Sequence, residues 1–233
     1  GGSKPFKDLA LGLAARGVAV LRFEKRRKQH GPKIEVASFK LDEESVDDAV
    51  AAVDLLATEP AVDPTRIFVL GHSLGATFAP RIGARSKRVA GIAMLAGTTR
   101  SLPDVMLEQM RYIDGLDGKT SPEEKAAEEE VVRAQKRIRE LQKGADPKPG
   151  EIILGAGAEY WIEMGKYDPI ETLKTFEGRV FLAQGQRDYQ VSEADFQTLS
   201  RAVAGRPRVV AKLYPDLNHL FVKGSGKSTP DEY

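Results

Sequence analysis

One hexapeptide, Gly71-His72-Ser73-Leu74-Gly75-Ala76, constrains the fold of this chain more than any other stretch. The apolar run at residues 67–70 leads into it as a strand, and the residues after it suit the start of a helix. A Gly-x-Ser-x-Gly pattern between a strand and a helix is typical of a nucleophile elbow, a sharp turn that exposes the serine hydroxyl. We therefore predict that Ser73 is a nucleophile. Side chains at Gly71 or Gly75 are expected to collide with the neighbouring strand or helix.

A serine hydroxyl needs a base that accepts its proton and an acid that orients the base. In proteins with such an elbow, the acid and then the histidine follow the serine along the chain. Of the three histidines, His30 precedes the elbow, and His72 lies inside it, where the turn points its side chain away. His219, in a loop after the alternating run at 209–214, is therefore the predicted base.

The predicted acid is Asp188, in the loop that leaves an apolar strand at 180–183. Glu193 and Asp195 are the alternatives, but a carboxylate in the first turn of the following helix more often stabilises that helix. Asp216 is expected to shape the turn before the histidine. The serine, the acid and the histidine would then come from three loops that each follow a strand.

Three stretches together resemble a known family, and they are residues 67–76, 184–191 and 218–221. They are similar to segments of α/β-hydrolase-fold serine hydrolases, in particular bacterial carboxylesterases related to serine aminopeptidase-like and prolyl-oligopeptidase-like enzymes. The similarity covers most of the chain and weakens between residues 98 and 165. It implies a catalytic triad and an oxyanion-hole donor, namely Ser73, Asp188, His219 and the backbone N–H of Leu74.

The rest of the chain alternates between helix and strand patterns. Residues 6–16 and 42–58 have the apolar spacing of helices, and residues 18–23 and 89–95 are strand-like. The basic run at 25–28 is expected to be a solvated loop. The predicted class is α/β, with a mostly parallel sheet flanked by helices.

This alternation stops after Gly97. Residues 98–176 have helical patterns, and Ser121-Pro122-Glu123-Glu124 has the signature of a helix N-terminus. We predict that residues 98–176 form a helical cap inserted into a core made of residues 1–97 and 177–233. Large side chains in the cap, with His72, could line a substrate pocket or instead pack the cap against the core. These candidates are His72, Met106, Met110, Tyr112, Tyr160 and Trp161.

Composition excludes several classes of function. With 41% hydrophobic residues, 30% charged residues and a formal net charge of +1, the chain is expected to be a soluble globular protein without nucleic acid as a partner. No apolar stretch is long enough for a membrane span. The absence of cysteine excludes disulfides and a thiol nucleophile. No histidine or carboxylate cluster has metal-ligand spacing, so neither a metal nor a cofactor is predicted.

The predicted reaction is hydrolysis of a small carboxylic ester through an acyl-enzyme. Two alternatives remain open, a serine peptidase of the aminopeptidase-like type and a binding module that uses the same fold without catalysis. An ester is favoured because its leaving group needs less assistance and because no acidic anchor for a peptide amine can be identified.

The resemblance also implies a second oxyanion-hole N–H, from the loop after the third strand of the fold. The chain opens at Gly1-Gly2-Ser3-Lys4-Pro5, directly before its first helix, and residues 228–233 end where relatives continue into a final helix. We expect these residues to be a segment of a longer protein whose upstream strands supply that donor. Alone, the segment would have a gap in the middle of its sheet and would fold poorly or be inactive.

Overall fold

The structure is a computed structural model that describes residues 4–233. The expectation that the chain is a segment of a longer protein partly concerns Gly1–Ser3, and these residues lie outside the described ones. The helices are α1 (Pro5–Ala14), α2 (Arg26–His30), α3 (Val46–Leu56), α4 (Leu74–Arg85), α5 (Leu102–Asp114), α6 (Pro122–Gln142), α7 (Ala158–Lys166), α8 (Pro169–Thr175) and α9 (Glu193–Ala202). The strands are β1 (Ile67–His72), β2 (Val89–Leu95), β3 (Ile152–Ile153), β4 (Ala156–Gly157), β5 (Arg179–Gly185) and β6 (Val209–Tyr214).

A parallel sheet in the order β1-β2-β5-β6 forms the centre of the molecule. The last residues of the strands are in register, with His72 of β1 beside Leu95 of β2 and Gly185 of β5 beside Tyr214 of β6. Since all four strands run in the same direction, their carboxyl ends meet at one edge of the sheet. The loops predicted to carry the serine, the acid and the histidine all begin at this edge.

The larger hydrophobic core lies between one face of the sheet and helices α4, α8 and α9. It includes Ile92, Met94, Val180 and Leu182 from the two central strands, each at most 2% exposed. Near-continuous apolar runs such as those of β2 and β5 are typical of central parallel strands. The predicted α/β class and the strands at residues 89–95 and 180–183 are confirmed.

A second core joins α3, α4, α6 and α7. Phe78 and Ile82 of α4 pack there with Val46 of α3, Ile138 of α6 and Trp161 of α7. Because α4 contributes to both cores, the helix that follows the elbow is buried from two sides. Its position, and that of the turn before it, is therefore strongly determined by packing.

The segment between β2 and β5 is mostly helical, as predicted, with a short antiparallel pairing of β3 and β4. The predicted start of α6 is confirmed, since Ser121 and Glu124 form a reciprocal capping box. Helix α8, however, contributes Leu173 to the larger core beneath the sheet. The division of the chain into core and cap stays a prediction.

The N-terminal segment differs from the prediction. Helix α1 matches the expected helix, but residues 18–23 form no strand and pair with no other strand among the described residues. Val18 and Phe23 are 48% and 44% exposed. A run of β-forming residues becomes a strand only when a partner satisfies its backbone groups and its side chains find neighbours. The predicted strand is therefore wrong for this structure.

The basic run at residues 25–28 is also different from the expected loop. It leads into the short helix α2, where Lys25 pairs with Glu44 and Arg26 pairs with Asp48, at 2.8 and 2.9 Å. These ion pairs attach the run to the start of α3. The ion pairs therefore balance the charges of Lys25 and Arg26 within the chain, and the absence of nucleic-acid binding stays a prediction.

The second face of the sheet is only partly covered. Phe68 and Leu70 of β1 and Val210 of β6 are 52%, 38% and 57% exposed. Their register partners in the central strands point to the same side. The packed face thus holds the elbow in place, while the second face contributes little burial.

Two absences among residues 4–233 bear on the expectations from sequence. None of the helices is both long enough and apolar enough to cross a membrane. No group of three or more histidine, aspartate or glutamate side chains lies together in an arrangement that could hold a metal ion.

Candidate active site

The turn between β1 and α4 holds Ser73 in a strained backbone conformation. Its φ of 56° and ψ of −123° lie outside the regions that L-residues normally occupy. A Cβ atom on Gly71 would lie 2.1 Å from the carbonyl oxygen of Gly75, so the turn requires glycine at position 71. No atom beyond the surrounding helical turn lies within 4 Å of the place of a Cβ on Gly75. The expected collision is confirmed for Gly71 and is wrong for Gly75, which faces open space.

The first turn of α4 has a free backbone donor next to Ser73. The carbonyl oxygen of Ser73 accepts hydrogen bonds from the N–H groups of Ala76 and Thr77, at 2.9 and 3.1 Å. Leu74 begins the helix, and in the described part of the chain its N–H donates to no carbonyl. This N–H is therefore available to a negatively charged oxygen at Ser73. The second donor of an oxyanion hole stays a prediction.

Asp188 lies in the turn after β5, where both of its carboxylate oxygens accept hydrogen bonds. Oδ1 accepts from the backbone N–H groups of Gln190 and Val191, at 2.8 and 3.0 Å. Oδ2 accepts from Nε2 of Gln184 at 2.8 Å and lies 2.7 Å from Nδ1 of His219. Because an ionised carboxylate only accepts, Nδ1 carries the proton in this pair. The other ring nitrogen, Nε2, is then the basic one.

The loop that carries His219 is held by the residue before it. Asn218 is 0% exposed, and its Oδ1 accepts hydrogen bonds from the N–H groups of Leu220 and Val222, each at 3.0 Å. Phe221 closes the turn in the left-handed region, with a φ of 60°. This turn keeps the buried His219 beside the loop of the acid.

Ser73 and His219 come to the same edge of the sheet without a hydrogen bond between them. In residues 4–233 no such bond links the serine hydroxyl to the histidine ring, although the ring of His72 lies 4.5 Å from that of His219. Hydrogen bonds between catalytic groups are often long or poorly aligned when no substrate is bound. The hydrogen bond between Asp188 and His219 is therefore formed in this structure, and a hydrogen bond between His219 and Ser73 is not.

His72 packs against the loop of the predicted base. Its Nε2 lies 2.7 Å from the carbonyl oxygen of His219 and must donate, because a carbonyl oxygen only accepts. Its ring also contacts Phe6 of α1 and Phe221. Burial lowers the pKa of His72 to about 4, and the neighbouring His219 lowers it as well. His72 is thus a neutral residue that supports the backbone of the histidine loop, a contact that the sequence analysis missed.

The alternative acids lie away from the histidine. Asp195 is 1% exposed and pairs with Arg100 at 2.9 Å, and it also accepts a hydrogen bond from the N–H of Thr99. Burial raises the pKa of Asp195, but the bonds from Arg100 and Thr99 outweigh burial and hold the pKa below its usual value. Glu193 hydrogen-bonds to side chains of its own neighbourhood, and Asp216 is an exposed turn residue. Asp188 is the carboxylate that meets the histidine.

A family model described as serine aminopeptidase, S33, matches residues 2–224. The chain belongs to the serine aminopeptidase S33 family. Esterase EstD of Thermotoga maritima is 37% identical over 233 residues, an alignment that covers 100% of this chain and 53% of that protein. The chain therefore spans about half the length of this curated relative.

Solved structures agree with the fold of this S33-family chain. A structure of the Pyrococcus furiosus esterase Pf2001 has a TM-score of 0.51 at 19% identity, over 92% of this chain and 66% of that chain. Est1E from Butyrivibrio proteoclasticus has a TM-score of 0.50 at 13% identity, over 78% of this chain and 63% of that chain. The parallel sheet flanked by helices is the α/β-hydrolase fold, so the predicted fold and family are both confirmed.

The predicted pocket residues of this S33-family chain have different environments. Tyr160 and Trp161 are 4% and 2% exposed in the second core, where Nε1 of Trp161 donates to the carbonyl of Ile153 at 2.8 Å. Both side chains pack inward from α7, which is the alternative to a pocket role that the sequence left open. Met106 and Met110 lie half-buried on α5.

Two cavities border the strand edge. One, of about 410 Å³, lies between α1 and the sheet and is lined by His72, Phe6 and Phe181. The other, of about 230 Å³, lies between the start of α4 and the helical segment, and Leu74 and Gln142 are among the residues that line it. None of the predicted pocket residues is among those that line the second cavity, and a substrate pocket under a cap stays a prediction.

Aromatic side chains surround the loop of the acid on its outer side. Tyr112 of α5 stacks on Tyr189, with ring centroids 4.6 Å apart, and donates from its hydroxyl to the carbonyl of Ser228 at 2.8 Å. Tyr189 also meets the ring of Tyr233 at 5.7 Å. Tyr112 therefore connects the helical segment to the acid loop and to the C-terminal residues.

A carboxylate near the C-terminus joins the two loops of the site. Glu232 pairs with Arg187 at 2.5 Å and accepts a hydrogen bond from Nδ2 of Asn218 at 3.1 Å. The hydrogen bond from Arg187 lowers the pKa of Glu232, and the bond from Asn218 does so too. Since these partners directly precede Asp188 and His219, Glu232 holds the acid loop and the histidine loop together.

Gln184 is a further residue of the site that the sequence analysis missed. It ends an otherwise apolar run, and its side chain is 1% exposed and donates to Asp188. A polar amide at a strand position that is predicted to be buried is a signal that could have identified it. Such a residue must find partners inside the protein.

Proposed function

We propose that this protein is a serine esterase that cleaves small carboxylic esters, with Ser73 as the nucleophile, His219 as the base and Asp188 as the acid. The observation that carries the proposal is the buried contact of 2.7 Å between Nδ1 of His219 and Asp188, at the strand edge that ends in the strained Ser73. The name of the relative that is 37% identical over this whole chain, Esterase EstD, supports the same reaction.

The first half of the reaction forms an acyl-enzyme. Oγ of Ser73 attacks the carbonyl carbon of the ester while Nε2 of His219 takes the hydroxyl proton. Asp188 keeps the proton of the imidazole on Nδ1 and stabilises the imidazolium that forms. When the bond between the acyl carbon and the alkoxide breaks, Nε2 returns its proton to the alkoxide. The alcohol leaves, and the acyl group stays on Ser73.

The second half repeats these steps with water. A water molecule gives its proton to Nε2 of His219 and attacks the acyl carbon. The bond to Oγ of Ser73 then breaks, and the serine regains its proton as the carboxylic acid leaves. In both halves, the N–H of Leu74 donates to the negatively charged oxygen of the tetrahedral intermediate.

Substrate selection is proposed to involve the helical segment at residues 98–176 as a cap. The cavity between the start of α4 and this segment, which Leu74 lines, supports this part of the proposal. Its volume of about 230 Å³ favours small substrates. Shortening the exposed charged part of α6 should then change the preference for acyl-chain length more than it changes the free energy of unfolding.

The alternative reaction is hydrolysis of a peptide bond, and the description of the S33 family as serine aminopeptidases is the observation that favours it. The same three residues could cleave an amide if the substrate were held in register. Parallel assays with p-nitrophenyl butyrate and with aminoacyl p-nitroanilides separate the two. We expect the ester to react faster, and a faster rate on the anilides would favour the peptidase.

The proposal is tested by the substitution Ser73→Ala in the full-length protein. Since members of a triad act as a unit, turnover of p-nitrophenyl butyrate should fall by about 10⁴-fold or more. The matched control is Ser38→Ala, at an exposed serine far along the chain from the strand edge, and it should retain the activity of the wild type. A folded Ser73→Ala variant that keeps most of its activity would rule the proposal out.

A further inference from the structure

The side chain of Gln184 is enclosed at the end of β5 and faces three oxygen atoms. Its Nε2 lies 2.8 Å from Oδ2 of Asp188, 3.0 Å from the carbonyl of Val191 and 3.2 Å from the carbonyl of Gly185. The residue is 1% exposed, so water does not compete for these contacts. All three partners belong to the strand end or to the loop of the acid.

The orientation of this amide follows from its surroundings. If Nε2 and Oε1 were exchanged, an oxygen would face three oxygens that only accept hydrogen bonds. In the observed orientation Oε1 is buried and has no hydrogen-bond partner among the described residues. A buried acceptor without a partner is costly and needs an explanation. The NH₂ group of Gln184 thus stays on the acid loop although its own oxygen is left unsatisfied.

Gln184 shares one oxygen of the acid with the histidine. Oδ2 of Asp188 accepts from Gln184 and also meets Nδ1 of His219, at 2.7 Å. The other oxygen is occupied by two backbone N–H groups. Rotation of the carboxylate away from the histidine would therefore break the bond to Gln184 as well.

We propose that Gln184 is a positioning residue of the site, and that its amide directs Oδ2 of Asp188 toward Nδ1 of His219. This inference rests on the proposed function of the Ser73, Asp188 and His219 group. Gln184 acts through Asp188 and does not touch the substrate.

Removal of this donor has two predicted consequences. The carboxylate becomes less well oriented, so kcat should fall by about 10- to 100-fold, the effect of losing a hydrogen bond to a charged group, while KM stays unchanged. The less well oriented carboxylate also stabilises the imidazolium of His219 less. The acid limb of the pH profile of kcat/KM, where the histidine must lose its proton, should then move to lower pH.

The first test compares Gln184→Met with Gln186→Met. Methionine has nearly the length of glutamine but cannot donate, and Gln186 is an exposed residue two positions along the chain. Hydrolysis of p-nitrophenyl butyrate is measured across the pH range, beside a circular dichroism spectrum of each variant. The proposal expects the lower kcat and the shifted acid limb in Gln184→Met alone. A folded Gln184→Met with the kcat and acid limb of Gln186→Met would overturn it.

The second test uses the wild type and so does not depend on the folding of a variant. In ¹⁵N NMR spectra of the wild type, the side-chain amide of Gln184, identified by sequential assignment, should shift as His219 titrates. The amide of Gln186 should not follow that titration. A resonance of Gln184 that is indifferent to the protonation of His219 would overturn the proposal.

These measurements distinguish a failure of the positioning role from a failure of the proposed function. Wild-type protein that hydrolyses no ester and shows no dependence on Ser73 would remove the reaction but leave the NMR titration readable. Titration of the Gln184 amide in such a protein would still support the contact with Asp188 and His219. Active wild type with an indifferent Gln184 would overturn the positioning role alone.

Discussion

Residues 4–38 and the loops at the carboxyl edge of the sheet differ in how deeply their side chains are buried. No residue between 4 and 38 is buried, and large apolar side chains such as Leu11, Val18 and Phe23 are 59%, 48% and 44% exposed. At the strand edge, even the polar side chains of Asp188 and His219 are buried and partnered. The number of apolar residues in a region therefore does not determine whether its side chains become buried.

The difference lies in what each region has for a neighbour. The apolar run at residues 18–23 meets no strand among the described residues, so its pattern alone gives it no structure. The loops after β1, β5 and β6 begin at paired strands, and the first of them leads directly into α4, which is buried in both cores. Each loop is then fixed by local hydrogen bonds, such as those that Asn218 accepts from its own turn.

Substitution of the predicted acid should have the greatest effect on activity. Asp188→Ala removes the partner of His219 and should lower kcat/KM for an ester by about 10³- to 10⁴-fold. Asp216→Ala, in the exposed turn after β6, is the control and should leave kcat/KM almost unchanged. Kinetics of the two purified variants decide the outcome. Equal activities would show that the packed edge does not contain the acid.

The next effect concerns the elbow itself. Gly71→Ala places a methyl group 2.1 Å from the carbonyl oxygen of Gly75, so the turn must open. We expect a loss of about 3 kcal/mol or more in the free energy of unfolding, since this clash is with backbone and exceeds ordinary overpacking. Gly75→Ala is the matched control, because its Cβ would face open space. Urea unfolding that ranks Gly75→Ala as the more damaging variant would contradict the geometry.

A smaller effect is expected at the buried ion pair beside the acid loop. Asp195→Ala leaves the donors of Arg100 and Thr99 without their acceptor, and we expect a loss of about 2–4 kcal/mol in the free energy of unfolding. The pKa of Asp195 is lower in the folded protein than its usual value of about 3.9. Its contribution is therefore complete above about pH 4 and is lost as the pH falls through the folded pKa.

Urea unfolding of wild type and Asp195→Ala at several pH values tests this sign. The difference between the two proteins should be constant near neutral pH and should shrink only in acid. A difference that grows as the pH falls would contradict the assignment of Asp195 as an ionised, stabilising carboxylate.

The smallest effects compare the two regions with the same substitution. Val180→Ala, at a residue 2% exposed in β5, should cost about 1–3 kcal/mol in the free energy of unfolding. Val20→Ala, at a residue 39% exposed in the N-terminal segment, should change it by less than about 0.5 kcal/mol. Thermal and urea unfolding measure both. Equal losses would mean that residues 4–38 are packed more firmly than their exposure indicates.

The sequence predicted those parts of the site that depend on local order along the chain. Ser73 follows from the glycine pattern between strand and helix, and His219 from its place after a strand. Asp188 follows from the same reasoning, and the structure brings it to the histidine. These residues sit at the ends of apolar runs, and such runs are the strongest signal in a parallel sheet.

Other features could not be predicted because they depend on contacts between distant residues. Trp161 has the same sequence signal whether it lines a pocket or fills a core, and only the packing of α7 into the second core distinguishes the two. The bond from His72 to the carbonyl of His219 spans 147 positions of the chain. Gly75 belongs to the motif, yet no neighbour makes a glycine necessary there.

Covalent labelling can establish whether the strained turn presents Ser73 as an activated nucleophile. The full-length protein is treated with a fluorophosphonate probe, digested and analysed by mass spectrometry, beside protein unfolded before treatment and beside Ser73→Ala. We expect one modified serine, Ser73, in the folded wild type and no modification at this position in either control. Folded wild type that never labels at Ser73 would contradict it and would favour a binding module on this fold.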